Sequence, residues 1–511
     1  MNGSIASLGG ACAFLSLSAL ALSGCRTGIR SSEFSSGNTI SASDAGLSER
    51  DDWRQKPPTP GPSRAIPFPD FRRTTLRNSI PVYFYKNDAV PLAVIRILAK
   101  SGSCTDPKGK EGLANFVGTL LRHRSPAGTG ADIVAEIEEG GGTLISGASY
   151  DFSFVTMETL SADLPSALRR LSQIVQRPKF ERSEIEQRRK QTLVEIQRQA
   201  DNGALMAQRA LRASVYGRNH PCSHGAVGSK DGIERVSRQD VLGFYQSHWT
   251  ARNLAIVAVG DISEETLREL DRNFGSRNDK TRVVTDNPIV PAAWVSRQLV
   301  IVDRPGAAQA DFALGHIGPP ITSEKWPSVI LMGHALGGFY LSRMTETLRR
   351  QKGYVYNTSS LDFVANGQQS LLSLRNTSAI ENSAPSVLAV LNEIQRMIDD
   401  PPHDKELELA KTNASDGVLG LLQTNQQIAA VLTEMAVANL PPDHLRSYLI
   451  ALKQVTPAQM ADAAREFLSP KELSIVVAGP ADKLRDGLVS IGSFEEWTAQ
   501  LSARSDSTAH P

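Results

Sequence analysis

Two stretches of the chain decide its fold: VSRQDVLGFYQSHWTARNLAIVAVG at residues 236–260 and VTPAQMADAAREFLSPKELSIVVAG at residues 455–479. They align without a gap at a constant offset of 455 − 236 = 219 residues. Each stretch begins with a helix N-cap, Ser237 or Thr456, whose hydroxyl can accept a hydrogen bond from a free backbone N–H of the first turn. A buried apolar strand and a glycine follow in both stretches. The repeat predicts a duplicated α+β domain of roughly 200 residues.

Strands and helices occur in groups along both halves of the chain. Runs of branched and aromatic residues predict strands, and apolar residues spaced three and four apart predict amphipathic helices. This grouping is typical of a mainly antiparallel sheet with helices packed on one face. The predicted strands cover residues 80–85, 91–99, 143–149, 151–156, 254–259, 299–302, 310–316 and 473–478, and the main helical regions begin at Leu113 and cover 131–139, 164–176, 182–200 and 326–350.

Composition and linker-like segments set the domain boundaries and exclude two classes of protein. The 511 residues carry a formal net charge of +1, which argues against a nucleic-acid-binding face. No run of eighteen or more apolar residues follows the N-terminus, so no spanning helix is expected in the mature chain. We therefore predict an N-terminal domain at residues 66–275, a linker at 276–296, a C-terminal domain at 297–485 and a peripheral tail at 486–511.

The first 65 residues have the composition of a targeting segment and a tether. An apolar run ends in Leu-Ser-Gly-Cys at residues 22–25, which resembles the lipobox of bacterial lipoproteins and predicts lipidation at Cys25. Residues 26–65 are rich in Ser and Pro, as in an extended tether. Arg26 resembles the residue found in lipoproteins of the outer membrane, so the protein is expected on the periplasmic side. No Lys or Arg precedes the apolar run, which leaves a plain secretory signal or a disordered tail as alternatives.

The order of four short motifs resembles peptidase family M16, which includes pitrilysin, insulin-degrading enzyme and the mitochondrial processing peptidase. The resemblance covers about residues 70–485 and implies two related domains that enclose a peptide. The motifs are Ser101-Gly102-Ser103 with Glu111-Gly112-Leu113-Ala114-Asn115-Phe116; Gly141-Gly142-Thr143-Leu144 with Asp151; Tyr216-Gly217 with Asn219-His220-Pro221, Gly228 and Lys230; and Leu336-Gly337-Gly338 with Ser342-Arg343, Leu348-Arg349, Gly353 and Tyr356.

The zinc motif of active M16 members is absent from the position where the resemblance places it. Active members carry His-x-x-Glu-His on the first helix, because two histidines four apart can reach one zinc and the glutamate acts as general base. This chain has Asn115, Gly118 and Thr119 at those three positions. Glu195 falls about where the family's third ligand lies, although an ordinary exposed helix glutamate is the simpler interpretation. We therefore expect neither a metal nor a catalytic residue of this chain acting alone.

Arg349 and Tyr356 match a pair that the family uses to face the zinc from the C-terminal half or from a partner subunit. A guanidinium and a phenol can position a peptide and stabilise its developing oxyanion. An ordinary surface arginine and a half-buried tyrosine are the alternative. The resemblance implies a non-catalytic subunit that works with a zinc-bearing M16 partner carrying His-x-x-Glu-His and with peptide substrates. A structural or peptide-binding protein is the competing hypothesis, and a self-sufficient zinc protease is disfavoured.

Two further cysteines, Cys104 and Cys222, lie in the predicted N-terminal domain. An exported protein meets an oxidising compartment, so the two thiols can form a disulfide, while two free thiols remain the alternative. The resemblance implies that the segments around both residues come near the active chamber of the family.

Overall fold

Two six-stranded sheets organise the computed structural model, which describes residues 68–122, 133–277, 297–356, 360–366, 369–499 and 501. The described residues from Asp70 onward belong to one compact unit. The predicted signal, Cys25, the whole of the predicted tether and residues 278–296 of the predicted linker lie outside the described residues. Within the described residues, no helix is both long and apolar enough to cross a membrane.

The first sheet is mainly antiparallel, as the sequence predicts. Its strand order is β1-β2-β6-β3-β5-β4, and the β2–β6 pair alone is parallel. The central strands consist largely of Val, Ile, Leu and Ala, which suits strands that are buried on both faces. The strands are β1 (Arg72–Thr75), β2 (Pro81–Lys86), β3 (Leu92–Ala99), β4 (Thr143–Ala148), β5 (Ser153–Leu160) and β6 (Leu254–Gly260).

Eight helices belong to the N-terminal half in the part of the chain that the structure describes. Two of them have the bounds that the sequence predicts, at residues 164–176 and 182–200. The helices are α1 (Leu113–Leu120), α2 (Ile133–Glu139), α3 (Leu164–Gln176), α4 (Arg182–Ala200), α5 (Gly203–Tyr216), α6 (Lys230–Arg235), α7 (Arg238–His248) and α8 (Glu264–Phe274).

The second sheet repeats the plan of the first, with strand order β12-β7-β11-β8-β10-β9. Ser237 and Thr456 cap α7 and α14 through equivalent capping boxes, which confirms the correspondence of the two repeat stretches. The strands are β7 (Gln298–Asp303), β8 (Gln309–Gly318), β9 (Ser360–Asn366), β10 (Gln369–Ala379), β11 (Ser474–Gly479) and β12 (Glu495–Trp497). The helices are α9 (Trp326–Leu336), a π-helix (Thr345–Gln351), α10 (Ser383–Asp399), α11 (Asp404–Gly420), α12 (Asn425–Val437), α13 (His444–Gln454), α14 (Pro457–Phe467) and α15 (Ala481–Leu488).

Each sheet is covered on its second face by a helix from the other half. Helix α5 packs on β8 and β11 of the second sheet, and α12 packs on β6 and β3 of the first. Arg96 on β3 is buried and donates 2.7 Å and 2.9 Å hydrogen bonds to Thr156 and to Thr433 of α12. The predicted fold class is confirmed, and the reciprocal exchange adds a helix from the other half to each sheet and joins the two halves.

Two predicted boundaries in the C-terminal half are wrong. The tail predicted as peripheral from residue 486 contains β12, which pairs in parallel with β7 and buries Trp497 at 3 % exposure. The helical region predicted at 326–350 breaks after Leu336, where Gly338 adopts a φ of 104° that L side chains rarely adopt. A three-residue strand and a glycine break leave too little periodicity to be predicted from sequence.

Candidate functional site

Helix α1 begins where the backbone at Gly112, from the first motif, lies against the backbone at Gly228, from the third. A Cβ on Gly228 would lie 2.0 Å from the Glu111 carbonyl oxygen, and a Cβ on Gly112 would lie 2.5 Å from that of Val227, so glycine is required at both positions. Asp106, which the sequence reasoning missed, accepts hydrogen bonds of 2.6 Å and 2.7 Å from the backbone N–H groups of Gly112 and Ala114. The carboxylate therefore caps the positive end of α1 and fixes its direction.

The three positions where the resemblance places the zinc motif are used for packing α1 against β4. The backbone N–H of Ala148 donates a 3.1 Å hydrogen bond to Asn115 Oδ1. The Thr119 hydroxyl donates back to the carbonyl oxygen of Asn115 at 2.8 Å, within its own helix. A Cβ on Gly118 would lie 2.5 Å from the carbonyl oxygen of Gly147. The helix thus approaches the strand too closely to admit any side chain at the position of the family's general base.

Glu195 on α4 is paired with an arginine of its own helix. Its carboxylate lies 3.6 Å from the guanidinium of Arg188, two turns earlier, and its side chain is 43 % exposed. Burial lowers the pKa of Arg188, the charge of Glu195 raises it, and the charge of Arg122 after α1 lowers it. The interpretation of Glu195 as a simple exposed glutamate is therefore incomplete, because a guanidinium balances its charge. Arg188 and Glu195 are seven residues apart and therefore lie on the same face of the helix, and this spacing is the sequence signal that predicts their pairing.

These residues do not fit a zinc ion. Asn115 already accepts a backbone hydrogen bond, Gly118 has no side chain, and Thr119 is committed to the helix backbone. Among the described residues no group of three His, Cys, Asp or Glu side chains is arranged to hold a metal. Zinc in proteins takes its ligands from those residue types. We therefore derive no chemical step of this chain through a metal.

Cys104 and Cys222 form a disulfide beside α5, with an S–S distance of 2.13 Å. It joins the 3₁₀ turn Ser103–Thr105, which precedes α1, to the turn Pro221–Ser223, which follows α5. The buried guanidinium of Arg212 lies 3.9 Å from Cys104 Sγ and stacks 3.5 Å from the ring centroid of Tyr150. The segments that lead into α1 and out of α5 are thus fastened to each other.

His220, from the Asn-His-Pro motif, is a structural residue in this arrangement. Its ring stacks on Tyr216 at a centroid distance of 5.0 Å, and its Nδ1 accepts a 3.0 Å hydrogen bond from the backbone N–H of Cys222. Burial, together with the charge of Arg212, lowers the pKa of His220 to about 4. His220 is therefore neutral near pH 7 and carries its proton on Nε2.

Arg349 lies on the π-helix of the C-terminal half and contacts Tyr356, which follows that helix. The Arg349 guanidinium carbon lies 5.2 Å from the centroid of the Tyr356 ring and 5.5 Å from that of Tyr340, which the sequence reasoning missed. Such distances are those of cation–π contacts. Tyr356 was predicted to begin a strand, but it precedes β9 and is 82 % exposed, because the backbone after the π-helix turns at Gly353 with a φ of 65°.

An ion pair between buried Arg343 and half-buried Glu406 holds the segment that leads into the π-helix. Arg343, next to the π-helix, donates hydrogen bonds of 2.6 Å and 2.8 Å to the two carboxylate oxygens of Glu406. It also donates to the backbone carbonyl of Asp400 at 2.8 Å. π-helices are rare and occur often at functional sites, where they re-aim side chains. The anchored helix therefore presents Arg349 on a rigid base, whereas the lost zinc positions lie on α1 of the other half.

Two family models match successive parts of the chain. Residues 82–224 match the model of Insulinase (Peptidase family M16), and residues 235–414 match that of the Peptidase M16 inactive domain. An uncharacterized zinc protease of Mycobacterium tuberculosis is 25 % identical over 420 residues, covering 80 % of this chain and 93 % of the relative.

Two solved structures have similar folds. The peptidase M16 inactive domain from Pseudomonas fluorescens has a TM-score of 0.73 at 21 % identity, covering 80 % of this chain and 98 % of its own. A protease from Helicobacter pylori has a TM-score of 0.75 at 17 % identity, covering 81 % of this chain and 100 % of its own. At these identities the likeness concerns the two-domain fold alone.

Proposed function

Because the chain belongs to peptidase family M16, we propose that it is the non-catalytic subunit of a heterodimeric zinc peptidase and contributes Arg349 and Tyr356 to the shared site. The partner is an M16 chain that carries His-x-x-Glu-His and the zinc ion. The present chain encloses peptide substrates and positions them against that partner.

One contrast carries the proposal. The positions where the resemblance places the zinc ligands and general base are used for packing, whereas Tyr356 is exposed beside a half-buried Arg349 that has no carboxylate partner among the described residues. Tyr356 is 82 % exposed and lies against the guanidinium of Arg349, so both side chains of the pair are accessible to a ligand. The proposal is that this chain supplies the Arg349–Tyr356 pair, and that the partner supplies the zinc site and lacks such a pair.

The chemistry of the pair suits a carbonyl that develops negative charge. The guanidinium of Arg349 offers several N–H donors in one plane, and the phenol of Tyr356 offers one O–H donor. Donors aimed at the scissile carbonyl hold the peptide and stabilise the oxyanion without moving during the reaction. The two aromatic contacts restrict the rotamers of Arg349 and keep its donors oriented.

We further propose that the protein is a lipoprotein anchored through Cys25 on the periplasmic side of the outer membrane. The sequence of residues 22–26 supports this placement, and the Cys104–Cys222 disulfide suits an oxidising compartment. The tether of residues 26–65 then gives the folded body reach from the membrane surface.

Reconstitution with the partner tests the proposed activity. The partner is identified by purifying the protein from its native membrane and selecting the co-purifying M16 chain with His-x-x-Glu-His. The isolated chain should cleave no peptide, and mixing it with the partner should switch on cleavage that depends on zinc. Arg349→Ala in the pair should lower turnover by about 10²–10³ without loss of assembly.

Arg350→Ala serves as the matched control, because Arg350 is the next residue but is paired with Glu346 at 2.6 Å. It should leave turnover near that of the unmodified pair. Zinc-dependent cleavage by this chain alone contradicts the proposal, as does full activity of the pair after Arg349 and Tyr356 are both replaced. An assembled pair with no effect of either residue favours a structural or peptide-binding subunit instead.

A further inference from the structure

Large apolar and aromatic side chains are exposed on the surface around Arg349. Tyr340 is 52 % exposed, Leu341 is 55 % exposed and Tyr356 is 82 % exposed. Tyr340 and Tyr356 both contact the guanidinium of Arg349, so these three side chains belong to one patch, and Leu341 is next to Tyr340 in the chain. Clustered exposed aromatic and aliphatic side chains mark binding sites on soluble proteins, because burying them against a ligand is favourable.

The same patch carries positive charge that no carboxylate balances within the described residues. Arg343 and Arg350 are paired with Glu406 and Glu346, each at 2.6 Å. Arg349 contacts only the two tyrosine rings, and the Nζ of Lys352 lies 5.7 Å from the ring centroid of Tyr354. A ligand that supplies a carboxylate would therefore meet the unpaired guanidinium of Arg349 at this surface, and Lys352 follows three residues later in the chain.

Arg349 can recognise a carboxylate in a specific geometry. Tyrosine rings contact its guanidinium, and it donates no hydrogen bond to another side chain or carbonyl of the described residues. One N–H edge of a guanidinium matches the two oxygens of a carboxylate in a bidentate pair, which is stronger than a neutral hydrogen bond. The five N–H donors of the group leave others free to face the scissile carbonyl. The neighbouring rings and Leu341 add apolar contact for a flanking side chain.

We propose that Tyr340, Leu341, Arg349, Lys352 and Tyr356 form a subsite that selects peptides in which an Asp or Glu side chain adjoins an aromatic or aliphatic residue. The inference rests on the proposed function, whose peptide-binding site it extends, and it names the substrate class. In this subsite the Tyr340 ring positions Arg349 and makes apolar contact with the peptide.

The test is calorimetric titration of the mature chain, without a partner, with short peptides that are acetylated and amidated at their ends. One series holds a Phe constant and varies the next residue as Glu, Gln or Lys. The Glu peptide should bind about tenfold more tightly than the Gln peptide at low salt, and the difference should shrink as salt screens the charge. An otherwise identical Gln peptide with a free C-terminal carboxylate tests the other source of the same group and should bind no better than the amide.

Four variants separate recognition from loss of structure. Arg349→Ala should abolish the Glu-over-Gln preference, whereas Arg350→Ala, which removes the same charge beside it, should keep the preference. Tyr340→Ala should weaken binding of both peptides and reduce the preference, and Tyr340→Phe should restore both, because the ring is retained. Circular dichroism of each variant confirms that the fold is intact.

Three results overturn the inference. The first is equal affinity for the Glu and Gln peptides, and the second is an equal loss of preference in Arg349→Ala and Arg350→Ala. The third is self-association of the wild type that Tyr340→Ala disrupts, because a second copy would then occupy the patch. Cleavage by the reconstituted pair is measured separately, so a missing acidic preference in an active pair refutes the subsite alone. A preference without any partner-dependent cleavage refutes the proposed function alone.

Discussion

Placing a methyl group at residue 118 tests whether packing has replaced the catalytic face of α1. The Cβ of Gly118→Ala would lie 2.5 Å from the carbonyl oxygen and 2.8 Å from the carbonyl carbon of Gly147. Unstrained contacts of this kind are near 3.5 Å, so α1 and β4 must separate by about 1 Å. The obstacle is strand backbone, which cannot rotate away as a side chain can.

The magnitude follows from opposing effects. Alanine in place of glycine stabilises a helix interior by about 1 kcal/mol. Overpacking a tight contact costs about 1–3 kcal/mol, and weakening the hydrogen bond from Ala148 N–H to Asn115 Oδ1 costs about 1 kcal/mol more. We expect Gly118→Ala to lower the free energy of unfolding by about 2 kcal/mol.

Gly243→Ala is the matched control. Gly243 lies inside α7, and a Cβ there would meet no atom within 4 Å. This variant should stabilise the protein by about 0.5–1 kcal/mol, so the two substitutions should move the urea midpoint in opposite directions. Hydrogen exchange of residues 143–148 should rise in Gly118→Ala only. If both variants raise the midpoint, the close approach of α1 to β4 is not a constraint and the argument fails.

The remaining predictions concern pH, the disulfide and the anchor. Burial, reinforced by the charge of Asp151, raises the pKa of Glu434 on α12 to about 8. The folded state therefore holds this proton more tightly than the unfolded state, and stability should fall as pH rises from about 4.5 to about 8. Glu434→Gln should flatten that fall, which urea midpoints at pH 5 and pH 9 measure; an unchanged slope contradicts it. Replacing Cys104 and Cys222 by Ala removes the constraint on a loop with a separation of 118 residues. The loss should be at most about 4–5 kcal/mol in urea unfolding, and two alkylatable thiols in the non-reduced wild type would exclude the bond. Cys25→Ala should release the protein from the membrane fraction into the soluble periplasm, and a mature wild-type N-terminus other than Cys25 would rule out lipidation.

The packing at Gly118 also bears on restoring the zinc motif. From the sequence alone, His, Glu and His at residues 115, 118 and 119 would supply the two histidine ligands of a zinc site with Glu195 and the general base, while activity would still depend on residues that support those ligands. The structure makes this restoration unfavourable, because a side chain at 118 collides with Gly147 and the carboxylate of Glu195 is paired with Arg188. The restored variant should therefore unfold at lower urea concentration and bind no stoichiometric zinc by calorimetry. Tight binding at one ion per chain would contradict this reasoning.

The sequence by itself determined the duplication, the fold class and the loss of the zinc motif. The capping boxes at Ser237 and Thr456 and the bounds of α3 and α4 depend on residues near one another in the chain, so local patterns reveal them. The replacement of His-x-x-Glu-His by Asn115, Gly118 and Thr119 is likewise visible without coordinates.

Only the tertiary structure decided what those positions do instead. The contact of Gly118 with Gly147, the exchange of α5 and α12 between the sheets, and the pairing of β12 with β7 all join distant segments. The contact of Tyr340 with Arg349 depends on a π-helix whose extra backbone residue shifts every following side chain. Local propensity cannot specify such contacts, because they are fixed by which surfaces bury one another once the whole chain has folded.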